Sequence, residues 1–167
     1  MSRIWRVGVL TLSDRGARGE REDLSGPAIR EVLASGPYRV ERYDVIPDDR
    51  DRIASTLIAW ADSGELDLIL TTGGTGVAPR DVAPEATRDV IDREVPGMAE
   101  AMRWASLQKT PHAMISRAVV GIRGTVLVVN LPGSPKAARE NLEVLLPALP
   151  HAMEKIQGDP SECAQGG

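Results

Sequence analysis

The sequence predicts an α/β fold built on a mostly parallel sheet, with one antiparallel strand and helices on both faces. Apolar segments of strand character alternate with segments of helical periodicity up to residue 70, which is typical of β-α-β units. Further along, two apolar segments are joined by only Arg123-Gly124, as expected for a hairpin. The 167 residues contain no internal repeat and no linker, so we expect one domain over 1–157 and a flexible tail over 158–167.

The chain begins with a predicted central strand. Residues Trp5 to Ser13 are mostly apolar and predict that strand, and a polar loop follows from Asp14 to Leu24. Ser25 with Pro27 just after it is typical of a helix start, and Gly36 is typical of a helix end. These segments predict the first strand and helix of the domain.

A second strand and helix follow in the same order. The segment from Tyr38 to Ile46 mixes valine and tyrosine with charged residues and predicts a strand. The helix after Pro47 is indicated by apolar residues at helical spacing: Ile53, Leu57, Trp60 and Ala61. This helix ends near Ser63-Gly64, and the apolar segment Leu66–Leu70 predicts a third, buried strand.

Two helices are predicted after the third strand. One begins at Pro84 and runs to Glu94, with acidic residues near its start, and stops before Pro96. The other runs from about Gly97 to Leu107 and carries Met98 and Met102 on its apolar side. Both helices would cover the sheet.

The end of the predicted domain consists of the hairpin and a last helix. The hairpin strands are Ala118–Ile122 and Thr125–Leu131, which provide the antiparallel strand of the sheet. Ser134-Pro135 opens the last helix, and Pro147 bends or breaks it.

The composition argues against several classes of protein. A formal net charge of −4 is unlike the basic domains that bind nucleic acid broadly. The single cysteine, Cys163, excludes an intramolecular disulfide and a cysteine-based metal site. No apolar segment approaches the roughly 20 residues of a membrane span, and no apolar signal region begins the chain. We therefore predict a cytoplasmic protein without nucleic-acid or membrane partners.

A glycine-rich loop follows the third strand directly. It reads Thr71-Thr72-Gly73-Gly74-Thr75-Gly76, and Asp81 comes five residues later. Glycines allow backbone N–H groups to approach an anion closely, because no Cβ stands in the way. The loop has neither the P-loop spacing nor the dinucleotide-binding spacing. Taken alone, it predicts a phosphate loop or a tight turn equally well.

Three loops are predicted to meet at one edge of the sheet. They are Ser13-Asp14 after the first strand, Thr71–Asp81 after the third, and Asn130–Lys136 after the last. The last of these opens a helix, whose free N–H groups and dipole favour an anion, although a simple turn and cap explains it too. Two such loops on one edge favour a site for a phosphorylated ligand.

Carboxylates are predicted at the same edge. Asp48 and Asp49 come directly after the second strand and Pro47, and Asp81 closes the glycine-rich loop. Each also has a common structural explanation: a helix N-cap for Asp48 and Asp49, and a cap or turn partner for Asp81. Mg²⁺ is commonly held by one or two carboxylates together with substrate phosphates, so these residues fit Mg-nucleotide chemistry.

Taken together, the motifs resemble the MoaB/Mog family of molybdenum cofactor biosynthesis. The resemblance covers nearly the whole chain. It rests on six blocks in order: Ser13-Asp14-Arg15; Ile46-Pro47-Asp48; Thr71–Gly76 with Arg80-Asp81-Val82 and Pro84-Glu85-Ala86; Pro96-Gly97 with Glu100; Ile115-Ser116-Arg117; and Asn130–Pro135. Six separate turns would not produce this order by chance.

Within that family, the chain looks most like the molybdopterin adenylyltransferases, on the segments Pro96-Gly97 with Glu100, Met102 and Arg103, and Ser106-Leu107. The resemblance implies that the protein activates molybdopterin with Mg-ATP, giving adenylyl-molybdopterin and pyrophosphate. It also implies a three-layer α/β/α sandwich, a homotrimer, with a hexamer as the alternative found among relatives, and a partner enzyme that inserts molybdate. The alternative is a paralogue that binds molybdopterin with little or no adenylylation.

The resemblance also implies roles for individual residues. Asp48 and Asp81 match the catalytic aspartates and would hold the metal through the Mg-nucleotide. The residues that match the nucleotide-phosphate loop are Thr72, Gly73, Gly74, Thr75 and Gly76. The residues that match the molybdopterin side are Ser13, Asp14, Glu100, Ser106, Ser116, Arg117, Asn130, Pro132, Gly133 and Ser134. By itself, each polar residue beside the Met98/Met102 stripe is better explained as part of a solvated face than as a ligand contact.

Overall fold

A computed structural model describes residues 2–161 and contains one six-stranded sheet between two layers of helices. The strands are β1 (Trp5–Leu12), β2 (Tyr38–Ile46), β3 (Leu68–Thr72), β4 (Arg93–Glu94), β5 (Val120–Arg123) and β6 (Val126–Leu131). The α-helices are α1 (Asp14–Ala17), α2 (Ser25–Ala34), α3 (Arg50–Asp62), α4 (Ala83–Val90), α5 (Pro96–Leu107), α6 (Pro135–Leu145) and α7 (Leu149–Ile156). A short 3-10 helix covers Pro111–Ile115.

The sheet confirms the predicted fold class. Its strand order is β2-β1-β3-β6-β5-β4, and β1, β2, β3 and β6 are parallel. Strand β5 is antiparallel to both β6 and β4, so it is the one antiparallel strand of the sheet. The hairpin turn lies at Arg123–Val126, around the predicted Arg123-Gly124.

Each face of the sheet has its own apolar core. On β1, Val7 and Val9 pack into one cluster with helices α2, α5, α6 and α7, whereas Leu10 and Leu12 pack into the other with α3 and α4. This division follows from the period of two in a strand, which sends successive side chains to opposite faces. The residues that α3 buries are the four predicted from helical spacing: Ile53, Leu57, Trp60 and Ala61.

The predictions of three segments were wrong in detail. The loop expected from Asp14 to Leu24 contains the short helix α1, and β3 extends to Thr72, two residues beyond the predicted end. The helix expected to reach Glu94 ends at Val90, where Ile91 turns to extended backbone. The N–H groups of Asp92 and Val95 then donate to the carbonyls of Ile122 and Val120, at 2.7 and 2.8 Å. Pairing with β5 therefore replaces the last helical turn.

The C-terminal segment agrees with the predicted break at Pro147, because α6 ends at Leu145 and α7 begins at Leu149. The first residues of the predicted tail stay close to α7, since the Lys155 ammonium donates to the Asp159 carbonyl at 3.1 Å. The rest of that tail, including Cys163, lies outside the described residues. Within residues 2–161, no helix has the length and apolarity to cross a bilayer.

A buried carboxylate anchors the other end of the sheet, where β3 begins. The Asp67 side chain is 2% exposed and pairs with the Arg6 guanidinium at 3.0 Å. It also accepts hydrogen bonds from the Arg6 backbone N–H at 2.9 Å and the Gln157 amide at 2.9 Å. Burial raises the pKa of Asp67, but the bonds from Arg6 and Gln157 outweigh it, so the net pKa is lowered.

We expect Asp67→Asn to lower the free energy of unfolding by about 1–3 kcal/mol at pH 7, since it weakens a buried charge-assisted network. A carboxyl whose pKa is lowered by folding contributes stability above its unfolded pKa of about 3.9, and that contribution is lost as pH falls through the folded value. The difference between variant and wild type should therefore shrink below about pH 4. Urea unfolding at pH 7 and at pH 3 measures this difference; equal differences at both pH values would contradict the assignment.

Candidate functional site

The loops that follow four parallel strands meet at one edge of the sheet. Strands β2, β1, β3 and β6 are adjacent and point in the same direction, so their carboxyl ends lie side by side. The loops that carry Asp48, Ser13, the glycines and Pro132 are therefore neighbours in space. This is the edge at which open α/β sheets bind their ligands.

The glycine-rich loop requires glycine at its first two glycine positions, Gly73 and Gly74. Gly73 has φ +101° and Gly74 has φ +68°, a backbone conformation that other residues rarely adopt. A Cβ on Gly73 would lie 2.5 Å from the carbonyl oxygen of Leu12, and one on Gly133 would lie 3.2 Å from the Cα of Gly73. The loops after β1, β3 and β6 thus pack backbone against backbone.

A first cavity of about 460 Å³ lies on one side of this loop. It is bounded by the helix start at Ser134, whose hydroxyl accepts from the Ala137 N–H at 3.4 Å. The residues that line it are Thr11, Leu12, Ser13, Gly16, Arg21, Glu22, Asp23, Leu24, Ser25, Thr72, Gly73, Gly133, Ser134 and Pro135.

A second cavity of about 240 Å³ lies on the other side of the loop. Inside it, the buried Asn141 amide donates to the Ser106 hydroxyl at 2.7 Å, and Lys109 pairs with Glu140 at 3.3 Å. The residues that line it are Thr75, Gly76, Arg103, Ser106, Lys109, Thr110, His112, Ala113, Ile115, Ser116, Pro132, Ala137, Glu140 and Asn141.

An acidic cleft of about 300 Å³ adjoins the first cavity, with which it shares Leu12, Ser13 and Arg21. We use the name acidic cleft for the space bounded by the carboxylates of Asp14, Asp48 and Asp81 and by Gly74, with Arg15, Arg21 and Arg80 around it. Acidic and basic side chains are thus mixed in the lining of this cleft.

Asp14 and Asp48 hold each other in place. The Asp14 N–H donates to the Asp48 carboxylate at 3.1 Å, and the Asp48 N–H donates to the Asp14 carboxylate at 2.9 Å. Arg80 forms an ion pair with Asp14. Burial raises the pKa of Asp48, and the negative charges of Asp14 and Asp81 raise it further. A carboxylate in this position is stabilised by any cation that enters the cleft.

The structure separates the two explanations for the aspartates after β2. Asp49 caps α3, because its carboxylate accepts from the Arg52 N–H at 2.8 Å. Asp48 instead faces the cleft. Asp81 serves both purposes: one carboxylate oxygen accepts from the Ala78 N–H at 2.9 Å, while the side chain also lines the cleft.

The residues present fit a bound Mg²⁺. Among residues 2–161, no group of three or more His, Cys, Asp or Glu side chains is arranged to hold a metal by itself. Mg²⁺ needs no such cage, because it commonly takes one or two carboxylates and completes its shell with water and substrate phosphates. Asp48 and Asp81 are the residues that would hold it, and the missing side chain of Gly74 leaves their side of the cleft open.

The structure brings most of the predicted site residues together, but not all of them. Asn130 is fully buried, and its amide donates to the hydroxyls of Thr71 at 3.0 Å and Thr87 at 2.9 Å. These hydrogen bonds stabilise the strand end that precedes the glycine-rich loop, and the buried Asn130 amide is not available to bind a ligand. Glu100 is exposed on α5, and Arg117 turns toward the glycine-rich loop; neither lines the cavities described above.

Asp23 is a half-buried residue of the first cavity that the sequence predictions did not single out. It lines the first cavity and accepts hydrogen bonds from the Thr11 hydroxyl at 2.8 Å, the Gly26 N–H at 3.1 Å and the Tyr43 phenol. Burial raises the pKa of Asp23, but these bonds together lower it, while burial and Asp23 raise the pKa of Tyr43 to about 12. The sequence signal was an aspartate two residues before Ser25, at the start of α2.

The chain matches a known family and several known proteins over most of its length. The sequence profile of the probable molybdopterin binding domain matches residues 8–151. A molybdopterin adenylyltransferase from Helicobacter pylori is 46% identical over 156 residues, covering 92% of this chain and 88% of that protein. The molybdopterin adenylyltransferase of Escherichia coli K12 is 45% identical over 141 residues, covering 83% and 72%.

A solved structure supports the same relationship at the level of the fold. The molybdopterin biosynthesis enzyme MoaB from Thermus thermophilus superimposes with a TM-score of 0.88. It is 58% identical, and the match covers 95% of this chain and all of that one. The likeness therefore extends over the sheet, the helices and the loops that form the site.

Proposed function

Because the chain belongs to the family of probable molybdopterin binding domains, we propose that it is a molybdopterin adenylyltransferase. It would act in molybdenum cofactor biosynthesis as a nucleotidyltransferase, with molybdopterin and Mg-ATP as substrates. The names of the relatives support the reaction, and the geometry of the loops supports the two-substrate site that it requires.

One observation carries this proposal: the glycine-rich loop contributes to all three parts of the site. Thr72 and Gly73 line the first cavity, Gly74 lines the acidic cleft, and Thr75 and Gly76 line the second cavity. A reaction that joins two phosphorylated substrates needs two binding spaces that meet at one anion-binding element. The loop is that element.

The continuity of the cavities supports an assignment of the substrates. The first cavity and the acidic cleft have three lining residues in common and are adjacent. A nucleoside in the cavity can therefore extend its triphosphate toward Asp48 and Asp81. The second cavity lies across the loop and would take the pterin, near Ser106 and Ser116. Ser13, Asp14, Gly133 and Ser134, which the resemblance assigns to molybdopterin, would then lie on the nucleotide side.

The proposed step is an in-line displacement at phosphorus. An oxygen of the molybdopterin phosphate attacks the α-phosphorus of ATP, and the bond from that phosphorus to the pyrophosphate oxygen breaks. Adenylyl-molybdopterin and pyrophosphate are the products, and the electron pair of the broken bond leaves with pyrophosphate. Such a transfer depends mainly on positioning and on electrostatic stabilisation rather than on covalent chemistry by the protein.

The residues of the site would divide this work between them. Backbone N–H groups of the glycine-rich loop bind phosphate oxygens, and the start of α6 at Ser134 adds the positive end of a helix dipole. Asp48 and Asp81 hold and orient the metal-bound triphosphate. Mg²⁺, when bound, would offset the negative charge on the phosphates. The two aspartates are therefore organising residues and not nucleophiles.

Incubation of the purified protein with molybdopterin and Mg-ATP tests the proposal. We expect adenylyl-molybdopterin and pyrophosphate in equal amounts, detected by liquid chromatography and by a coupled pyrophosphate assay. Binding of molybdopterin without either product would favour the alternative, a paralogue that holds molybdopterin with little or no adenylylation. Omission of molybdopterin controls for simple ATP hydrolysis.

Two serine variants test which cavity binds which substrate. Aspartate at either position places a negative charge beside a bound anion, which is expected to weaken binding about tenfold for a cost near 1.4 kcal/mol. Ser134→Asp should raise the KM for ATP, and Ser116→Asp should raise the KM for molybdopterin. Ser134→Asp can still cap α6, because aspartate is a good N-cap residue. The reverse pattern of KM changes would contradict the assignment.

A homotrimer is the proposed assembly, from the resemblance to the MoaB/Mog family. It is supported by large apolar side chains exposed near one another in sequence on α5 and the 3-10 helix: Trp104 at 68%, Met114 at 70% and Ile115 at 50%. Sedimentation equilibrium measures the assembly directly. A partner enzyme that inserts molybdate and a cytoplasmic location likewise remain predictions.

A further inference from the structure

We infer that Arg117 is a positioning residue, which holds the turn carrying Asp81 in place so that its carboxylate faces the acidic cleft. The inference rests on the proposed function for its consequence in catalysis, but the contacts themselves are independent of that function. It also replaces the expectation that Arg117 binds molybdopterin. The side chain lies outside both cavities and the cleft described above.

Arg117 makes hydrogen bonds at both ends of the segment that it supports. Its backbone N–H donates to the Thr75 carbonyl at 2.8 Å, and its Nε donates to the Gly76 carbonyl at 2.7 Å. Its Nη2 donates to the carbonyl of Asp81 at 2.6 Å. Its Nη1 pairs with the Glu85 carboxylate at 2.8 Å, on the first turn of α4. One side chain therefore joins the two ends of the loop to the helix that follows it.

The supported segment projects from the sheet and needs such an anchor. Val77 is 63% exposed, and Ala78, Pro79 and Arg80 are exposed as well. Two hydrogen bonds of 2.9 Å join Ala78 and Asp81 within the turn. These bonds set the shape of the turn, but they do not fix where the turn lies. The bonds from Arg117, together with the ion pair between Arg80 and Asp14, connect the turn to the rest of the protein.

The chemistry of the guanidinium suits this task. It presents several N–H donors in one rigid plane, whereas a lysine ammonium is a single point on a flexible stem. The three acceptors lie on three different residues, and each is bound by a different nitrogen of Arg117. An ammonium has its three N–H groups on one nitrogen and cannot reproduce that spacing. The bond from Arg117 lowers the pKa of Glu85, so the pair stays charged to a lower pH than an unpaired glutamate would allow.

The test compares Arg117→Ala and Arg117→Lys with the wild type in the adenylylation assay. Misplacement of a catalytic group by about 1 Å can cost about 100-fold in rate, so we expect kcat to fall by about that factor in both variants. The KM for molybdopterin should change less than about threefold, because Arg117 lines neither cavity. Free guanidinium at millimolar concentration should restore part of kcat in Arg117→Ala. A raised KM for molybdopterin with unchanged kcat would overturn the inference.

Arg123→Ala is the matched control. Arg123 also joins a carbonyl and a carboxylate, those of Val90 at 2.8 Å and Asp62 at 3.0 Å, but it lies at the hairpin turn away from the site. It should keep wild-type kcat, and guanidinium should not change its rate. A similar loss of kcat in Arg123→Ala would mean that the loss of any arginine joining a carbonyl to a carboxylate lowers activity. That result would overturn the specific role of Arg117.

Hydrogen exchange separates this inference from the proposed function. In the protein without substrates, amides of residues 76–82 should exchange at least tenfold faster in Arg117→Ala than in the wild type, and those of β1 should be unchanged. Equal exchange over residues 76–82 would overturn the inference whatever the activity. A wild-type protein without adenylylation would instead overturn the proposed function and leave the exchange result to decide the role of Arg117. If Arg117→Ala does not fold, Arg117→Lys gives the same comparison.

Discussion

Asp81→Asn is expected to lower the rate of adenylyl transfer at least about 100-fold, while the protein remains folded. The asparagine oxygen can still accept the hydrogen bond from the Ala78 N–H, which is 2.9 Å long in the wild type. The turn should therefore keep its shape. What the substitution removes is the negative charge beside Asp48, and with it one of the two groups that would hold the metal-bound triphosphate.

The measurement is the initial rate of pyrophosphate release with molybdopterin and Mg-ATP at saturating concentrations. Asp51→Asn is the matched control, since Asp51 is an exposed aspartate in the first turn of α3. It should keep the wild-type rate. Thermal unfolding of both variants checks that the fold is retained. Wild-type activity in Asp81→Asn would rule out the proposed role of this carboxylate.

Gly73→Ala is expected to destabilise the protein by about 3 kcal/mol or more and to abolish activity. Two physical effects add at this position. An alanine at φ +101° is strained, and its Cβ would lie 2.5 Å from the carbonyl oxygen of Leu12. Relief of that contact requires the loop after β3 to move away from β1, which would open the junction between the first cavity and the acidic cleft.

Gly124→Ala separates the two effects. Gly124 has φ +59°, but a Cβ there would meet no atom within 4 Å, so only the backbone strain remains. We expect a loss of about 1 kcal/mol and wild-type activity for this variant. Chemical unfolding of the two variants in parallel gives the difference. Equal destabilisation would show that the contact between Gly73 and Leu12 adds nothing to the strain.

Much of the fold follows from periodicity in the sequence. Helix α3 buries the four residues that recur at helical spacing, and the alternating residues of β1 divide between the two cores. Strand β4 could not be predicted in this way, because Arg93 and Glu94 continue a helical pattern. The helix ends at Val90 because pairing with β5 satisfies the backbone that follows, and β5 comes much later in the chain.

In the candidate site too, some features could be predicted from the sequence, whereas others depend on contacts between distant segments. The loops after β1, β3 and β6 were predicted to meet, and they do, because a parallel sheet aligns the carboxyl ends of its strands. Whether Asp48 or Asp49 faces the site depends on which carboxylate caps α3, and local sequence allows both. Likewise, Asn130 belongs to a motif that matches the MoaB/Mog family. Its buried amide nevertheless donates its hydrogen bonds to Thr71 and Thr87 and is not available to a ligand.

Residue types and their spacing were enough to establish the α/β class, the membership in the molybdopterin-binding family and the edge of the sheet at which the site lies. These properties can be read along the chain, because they depend on periodicity and on the order of motifs. The folded molecule was needed to show that the glycine-rich loop borders three separate spaces, that Asp23 lines the first cavity, and that Arg117 donates a hydrogen bond to the turn of Asp81. Those properties depend on the directions of side chains across packed elements, and such directions are set only when distant segments meet.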